Sequence, residues 1–295
     1  MAEQALTVPR RESSILRALK SLALIRESVV GMVGLALVAA WVLVAVFADI
    51  LAPFPPNATI MPLALPGTAL PDGGGVFWLG TDHIGRDVLS RIIYGSRRVL
   101  IFAPLATLCA YAVGIPMGLA AGYRRGKTDD ILSFIANIIL SFPVLVLYVI
   151  IIATFGASAI NILVAVTFAS APGIFRIVRG LVLDLRNREY VFAAETRGES
   201  PWRIMLVEIL PNARGPLIVD ACLRLGYVII TIGVLGFLGL GLPPPDPDWG
   251  GMINETRQMA TAFPHMTVFP CIAISSLVLG FNLLADGLRE VSLRD

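Results

Sequence analysis

Five stretches of this chain run on without a single charged side chain, at residues 29–48, 99–123, 131–175, 225–245 and 266–285. One helix crosses the hydrocarbon of a bilayer with about 20 residues, so four of these stretches are single spans. The stretch 131–175 is too long for one span and is expected to fold back near Gly156-Ala157-Ser158 or Asn161, which brings the count to six. Membrane barrels are excluded, because their strands read as roughly 10-residue segments of alternating polarity. Charged residues make up only 15% of the chain, against about 25% in soluble domains. The expected fold is therefore an all-α integral membrane protein with six transmembrane helices.

An even number of spans puts both termini on one side, and basic residues decide which side it is. With the N-terminus inside, the inner segments collect Arg10, Arg11, Arg17, Lys20 and Arg26, then Arg124, Arg125 and Lys127. Arg176, Arg179, Arg186, Arg188, Arg197, Arg203, Arg214, Arg224, Arg289 and Arg294 follow on the same side, which makes eighteen of the 23 basic residues. Only Arg86, Arg91, Arg97, Arg98 and Arg257 fall outside. The first apolar run exceeds the h-region of a signal peptide and is read as a retained span. The net charge of +2 follows from the inner bias and implies no nucleic-acid partner. Cys109, Cys222 and Cys271 lie apart, without CxxC spacing, so neither a disulfide framework nor a zinc site is indicated.

On this reading residues 1–28 are a cytoplasmic tail, 29–52 the first span, 53–98 an outer loop, 99–288 a five-helix core and 289–295 a second cytoplasmic tail. Two connections exceed what linking helices requires. The outer loop opens with Pro53, Pro55, Pro56, Pro66, Pro71 and Gly73-Gly74-Gly75, which reads as extended chain. Val88, Leu89, Ile92 and Ile93 then recur at helical spacing opposite Arg86, Asp87, Ser90 and Arg91, as in a short amphipathic helix on the outer membrane surface. There Asp87 and Arg91 would form an exposed i,i+4 pair worth tenths of a kcal/mol.

The inner connection, 184–216, is the longest water-compatible segment inside. Val191, Ala193 and Ala194 make one apolar side, and Gly198 permits a turn that side chains obstruct. Ser200 is a good N-cap and Pro201 suits the first helical position, so a short helix should run through Trp202, Ile204, Met205 and Leu206 until Pro211 breaks it. Such a helix, carrying Trp202 and Met205, is shaped to enter a pocket on a partner.

Ala193-Ala194-Glu195-Thr196-Arg197-Gly198, followed after nine residues by Glu208-Ile209-Leu210-Pro211, resembles the coupling loop of ABC importer permeases. That family's pattern is Glu-Ala-Ala, three residues, Gly, nine residues, Ile-x-Leu-Pro; Phe192 stands at its first Glu and Glu208 at its Ile. Gly80-Thr81-Asp82, Gly85-Arg86-Asp87, Ser90-Arg91 and Gly95 resemble the outer signature of the second permease subunit of dipeptide, oligopeptide and nickel importers. Leu140-Ser141-Phe142-Pro143, Phe237 to Gly241, Pro243-Pro244, Trp249-Gly250 and Asn282 to Arg289 are similar to that branch in the same order. Asn137 replaces a frequent Asp, and Ala285 a usual Gly.

The resemblance implies a non-catalytic subunit that binds no cofactor. Its pore is completed by a homologous permease, its energy comes from cytoplasmic ATPase subunits using ATP and Mg, and its substrate arrives on an extracytoplasmic binding protein. It also implies residence in a bacterial or archaeal cytoplasmic membrane. The ATPase-coupling role carries over to Ala193, Ala194, Glu195, Gly198, Pro201, Trp202, Met205, Leu210 and Pro211. Peptide, nickel and haem importers all belong to the branch. Ile232 stands in a segment where some oligopeptide members carry an acidic residue, which favours dipeptides.

Other readings are weaker. Gly122-Tyr123-Arg124-Arg125-Gly126-Lys127-Thr128 approximates a phosphate-binding loop, but Ala121 stands where that motif needs Gly, and an apolar helix precedes it where a buried strand is required. Asp220 and Arg224, four apart near the inner end of the fifth span, read as a structural ion pair. His83 and His265 are too isolated for a metal site. A proton-coupled carrier would place charges deep in its spans, and the span centres here carry none. A bare scaffold leaves the long inner connection unexplained.

Overall fold

The computed structural model of the protein describes residue 26 and residues 28–241 and 245–292. Of the expected tails, residues 1–25, 27 and 293–295 lie outside the described residues, as does the Pro243-Pro244 pair. The helices are α1 (Val29–Val46), α2 (Ala48–Leu51), α3 (Val88–Arg124), α4 (Gly126–Ser141), α5 (Val144–Phe155) and α6 (Ala159–Leu185). They continue with α7 (Glu189–Thr196), α8 (Pro201–Arg203), α9 (Leu210–Phe237), α10 (Trp249–Thr256) and α11 (His265–Ser292). In the outer loop β1 (Thr68–Ala69) pairs antiparallel with β2 (Val76–Phe77), a small hairpin where the sequence suggested only extended chain.

Among the described residues five helices, counting the continuous stretch Pro201–Phe237 as one, are long and apolar enough to cross a membrane. A sixth span results if α4 and α5, which meet at 86°, act as one broken crossing. The break falls at Phe142-Pro143: Phe142 is extended (φ −84, ψ 140) because the proline ring crowds the helical region for the residue before it. The expected reversal lies where the glycine suggested. Gly156 ends α5 at φ +89, Ser158 caps α6, and the Asn161 amide donates to the carbonyls of Phe155 (2.8 Å) and Gly156 (2.9 Å).

Between α3 and α6 the contact is set by a small-residue ladder. A Cβ built on Gly114, Gly118 or Gly122 would sit 2.7, 2.5 and 2.7 Å from the Cβ of Ile174, Val178 and Val182 respectively. Close approach of this kind holds helices together in lipid, where no hydrophobic force separates helix from solvent. Similarly, α1 crosses α11 where Gly31 meets Gly287 and Gly34 meets Leu284, which lays the two helices antiparallel. Trp41 of α1 packs edge-on against Trp249 of α10 at 5.0 Å and donates its indole N–H to Ser276 of α11.

Two expectations are corrected. The outer amphipathic helix is not a separate element. Nothing between Val88 and Val99 breaks a helix, so these residues are the first turns of the 37-residue α3, with Asp87 as its N-cap. Nor does Pro211 end the inner helix. A π-helical turn over residues 204–209 carries the chain from α8 directly into α9, and the Leu210 N–H bonds the Met205 carbonyl five residues back. That wider turn changes the bonding register just where the proline has no N–H to offer.

Candidate functional site

Contacts divide the chain between two ends, called inner and outer here after the bias of the basic residues. At the inner end α6 stops at Leu185, and the Nη1 of Arg186, its C-cap, donates to the Tyr123 carbonyl at 2.8 Å. The guanidinium lies 5.9 Å from the centre of the Tyr123 ring. From there α7 sets Val191 and Ala194 into an apolar cluster with Ile204, Met205 and Ile209, against Leu119, Val178 and Val182. Its opposite edge, Phe192, Ala193 and Glu195, is exposed. The Tyr123 hydroxyl donates to Glu195 Oε1 at 2.9 Å, a second tie to the end of α3.

Gly198 ends this helix at φ +74, and the Glu199 N–H reaches back to the Ala194 carbonyl at 3.2 Å. That left-handed closure suits a residue without Cβ. Ser200 then caps Arg203 and Pro201 opens the next helix, as the sequence indicated. The Glu199 carboxylate lies 2.8 Å from Arg197 and 3.3 Å from Arg203, and the hydrogen bond from Arg197 holds its pKa below the ordinary value. Trp202, 51% exposed, stands beneath the Arg124 guanidinium at 5.5 Å.

Met205 departs from expectation. It is 0% exposed and belongs to the base of the segment, packed in the cluster of Val191, Ala194, Ile204 and Ile209, while Trp202 three residues earlier stays exposed. Ala194 is likewise interior, Leu210 is half-buried and Pro211 is exposed. Sequence reasoning gave no place on the outward face to Phe192, which is 54% exposed and occupies the family's Glu position. The result is an exposed set of Phe192, Ala193, Pro201, Trp202 and Leu206 on a wholly apolar base that packs against residues of α3, α6 and α9.

At the outer end the signature residues are fasteners. Thr81 Oγ1 donates to the Met61 carbonyl at 2.6 Å and accepts from the Ala64 N–H at 2.8 Å. Asp82 accepts from the N–H groups of Ile84 and Arg86 and from Arg86 Nε at 2.6 Å, and the Arg86 Nη2 also meets Glu255 of α10. Gly85, at φ +93, allows that tight loop. Asp87 caps α3 through the Ser90 N–H, while Ser90 Oγ accepts from Phe54 N–H at 3.0 Å. Arg91 reaches the Pro56 carbonyl and Asn57. At Gly95 a Cβ would come within 2.6 Å of the Trp249 indole nitrogen, which instead donates to the Ile92 carbonyl.

The exposed Asp87–Arg91 pair expected from the sequence is therefore replaced by two buried residues with other partners, because the outer loop and α10 cover that face. Gly80 sits at φ +76 against His265, whose Nε2 lies 3.3 Å from the Thr81 carbonyl; no metal-ligating cluster occurs among the described residues. Asp220 and Arg224 do pair, at 2.7 Å, and the Tyr111 hydroxyl donates to the same carboxylate, joining α9 to α3. The segment resembling a phosphate loop is the junction of α3 and α4, with helices on both sides and no strand.

A bundle of long, mainly apolar helices, with an exposed apolar edge at one end and a fastened loop at the other, is the architecture of a multi-pass membrane protein. Residues 114–294 match the family described as binding-protein-dependent transport system inner membrane component, and the chain belongs to that family. It is 37% identical over 266 residues to the dipeptide transport system permease protein DppC of Alkalihalophilus pseudofirmus, covering 90% of this chain and 86% of the relative. It is 39% identical to the DppC of Escherichia coli K12, over 88% of this chain and 86% of that one. With the glutathione transport system permease protein GsiD of Pectobacterium atrosepticum it shares 40% identity, over 72% and 71%. Among solved structures, an inward-facing MetNI methionine ABC transporter aligns with a TM-score of 0.57 at 21% identity, covering 68% of this chain and 96% of that one. This likeness extends the shared fold to an ABC importer. The chain is a permease subunit.

Proposed function

We propose that this permease subunit conducts dipeptides and other short peptides inward, as one half of a pore whose other half is a homologous permease. The substrate reading is supported by the names of the DppC relatives. Cytoplasmic ATPase subunits that use ATP and Mg drive the cycle, and an extracytoplasmic binding protein delivers the peptide. This chain itself carries no catalytic step. The single observation behind the mechanism is the exposed edge of Phe192, Ala193, Pro201, Trp202 and Leu206 mounted on the buried base of Val191, Ala194, Ile204, Met205 and Ile209.

In this reading ATP-driven closure of the ATPase pair pulls the edge toward its counterpart on the second permease. The ties of Arg186, Glu195 and Trp202 to the end of α3 turn that pull into a rigid-body tilt of the bundle. Glutathione is the second reading, favoured by the GsiD relative. Both are tested by purifying the tagged chain from native membranes, identifying its companions by mass spectrometry and assaying ATP hydrolysis with dipeptide-loaded and glutathione-loaded binding protein. Recovery of a second permease and an ATPase stimulated by the dipeptide form supports the first reading; stimulation by glutathione alone selects the second. Recovery of the chain without any nucleotide-hydrolysing partner overturns both.

A further inference from the structure

At the outer end a cavity of about 290 Å³ opens between the start of α3, the turn after α9 and helix α10. Its polar wall carries Arg91, Asp246, Asp248, Asn254 and Glu255, and glycines supply much of the remainder. Two of these charges already have counter-ions: Glu255 meets Arg86, and Asp246 lies 2.7 Å from Arg98. The other two, Arg91 and Asp248, form no ion pair among the described residues. Arg91, 2% exposed, uses Nη1 on the Pro56 carbonyl and Asn57 Oδ1 at 3.3 and 3.2 Å, while its buried Nε has no partner. Asp248, 4% exposed, accepts only from the backbone N–H groups of Gly250 and Gly251, at 3.3 and 3.1 Å.

Burial pushes the Asp248 carboxyl up to about 6, so it is ionised at neutral pH without a counter-ion in contact. An isolated buried charge is costly, and two of opposite sign on one cavity wall are compensated together by an occupant that brings both missing charges. The geometry points to this cavity as an outer binding site for a small zwitterion, with Arg91 taking a carboxylate and Asp248 an ammonium. In a peptide importer that occupant is a short peptide with both termini free, held on this chain after release from the binding protein. The volume lies at the small end of ligand pockets, which run from about 300 to 1,000 Å³, and suits a dipeptide. The assignment of peptide as the zwitterion rests on the proposed function above.

The test is saturation-transfer NMR of alanyl-phenylalanine on the detergent-purified complex of this chain with its partner subunits and without binding protein, run beside uptake of the same peptide by cells. Transfer is expected for the free peptide and not for its N-acetylated or C-amidated forms. Asp248→Asn keeps an acceptor oxygen for the cap of α10 and should weaken binding about tenfold or more, the scale of one charge-assisted hydrogen bond. Asn254→Phe fills the cavity without touching any ion pair and should abolish the signal. Unchanged transfer in both variants, or none in the wild type while uptake proceeds, overturns the site. A wild type that imports no peptide removes the peptide reading itself, and this inference with it.

Discussion

Asp82→Ala attacks the outer fastening at its centre. The carboxylate it removes accepts from two backbone N–H groups and from Arg86 Nε, whose side chain is 7% exposed. Arg86 keeps Glu255 as a counter-ion, so the loss stays below the ~3 to 5 kcal/mol of a charge left wholly unpaired and comes mainly from buried donors left without an acceptor, about 1 to 3 kcal/mol each. An internal control is Asp49→Ala, which breaks the Arg97–Asp49 pair at 2.9 Å, where the acid is 68% exposed. Exposed pairs of that kind contribute little, because water and salt screen them. Asp82→Asn, which keeps an oxygen for the backbone donors but drops the charge, should fall between the two. The assay is the midpoint of thermal loss of the monodisperse peak in detergent, for which Asp82→Ala is expected to shift by on the order of 10 °C and Asp49→Ala by a small fraction of that. Equal, small shifts for both would refute the claim that the signature is a buried fastening.

Three further outcomes are expected. Trp202→Ala and, separately, Gly198→Glu should leave the protein inserted while ATP hydrolysis ceases to drive uptake, since Gly198 lies outside every candidate span and Trp202 is the second residue of the stretch Pro201–Phe237, exposed at its inner end; peptide uptake at the wild-type rate would count against the coupling role. Gly118→Val should destabilise by about 1 to 3 kcal/mol through overpacking, because even its Cβ would meet Val178 at 2.5 Å; an unchanged melting midpoint would contradict the ladder. Asp248 has a folded pKa of about 6 against an ordinary 3.8, so the folded state binds the proton more tightly and the group favours folding fully below about pH 4. Relative to Asp248→Asn, wild-type stability should therefore fall by about 2 kcal/mol as pH rises from 4 to 7, and a pH-independent difference between the two would rule this out.

Continuous features were the most legible in the sequence. The uncharged runs located the spans, the Gly156 region located the reversal, and Ser200-Pro201 located a helix start, because each depends on residues within a few positions. Features that depend on distant partners were not legible. Arg86 and Arg91 read as an exposed polar face, yet Glu255 and the indole of Trp249, more than 150 residues away, complete that face. The apolar and polar sides of the first α3 turns are both buried, so periodicity there reported helix correctly and burial wrongly. Pro211 read as a breaker because proline rules describe ordinary helical bonding, and the π-helical turn before it changes that bonding. Met205 shares a short helical segment with Trp202, and only the packed base decides which of the two faces outward.

We propose that an ATPase subunit docks on the exposed inner edge. The direct measurement is site-specific disulfide cross-linking in native membranes, using a chain whose Cys109, Cys222 and Cys271 are replaced and which carries Ala193→Cys, or Ile84→Cys at the opposite end. Oxidation should join Ala193→Cys to an ATPase subunit engineered with cysteines around its cleft, with a yield that changes on adding ATP, and should leave Ile84→Cys unjoined. An Ala193→Cys chain that never cross-links to the ATPase, or an Ile84→Cys chain that does, would contradict the account.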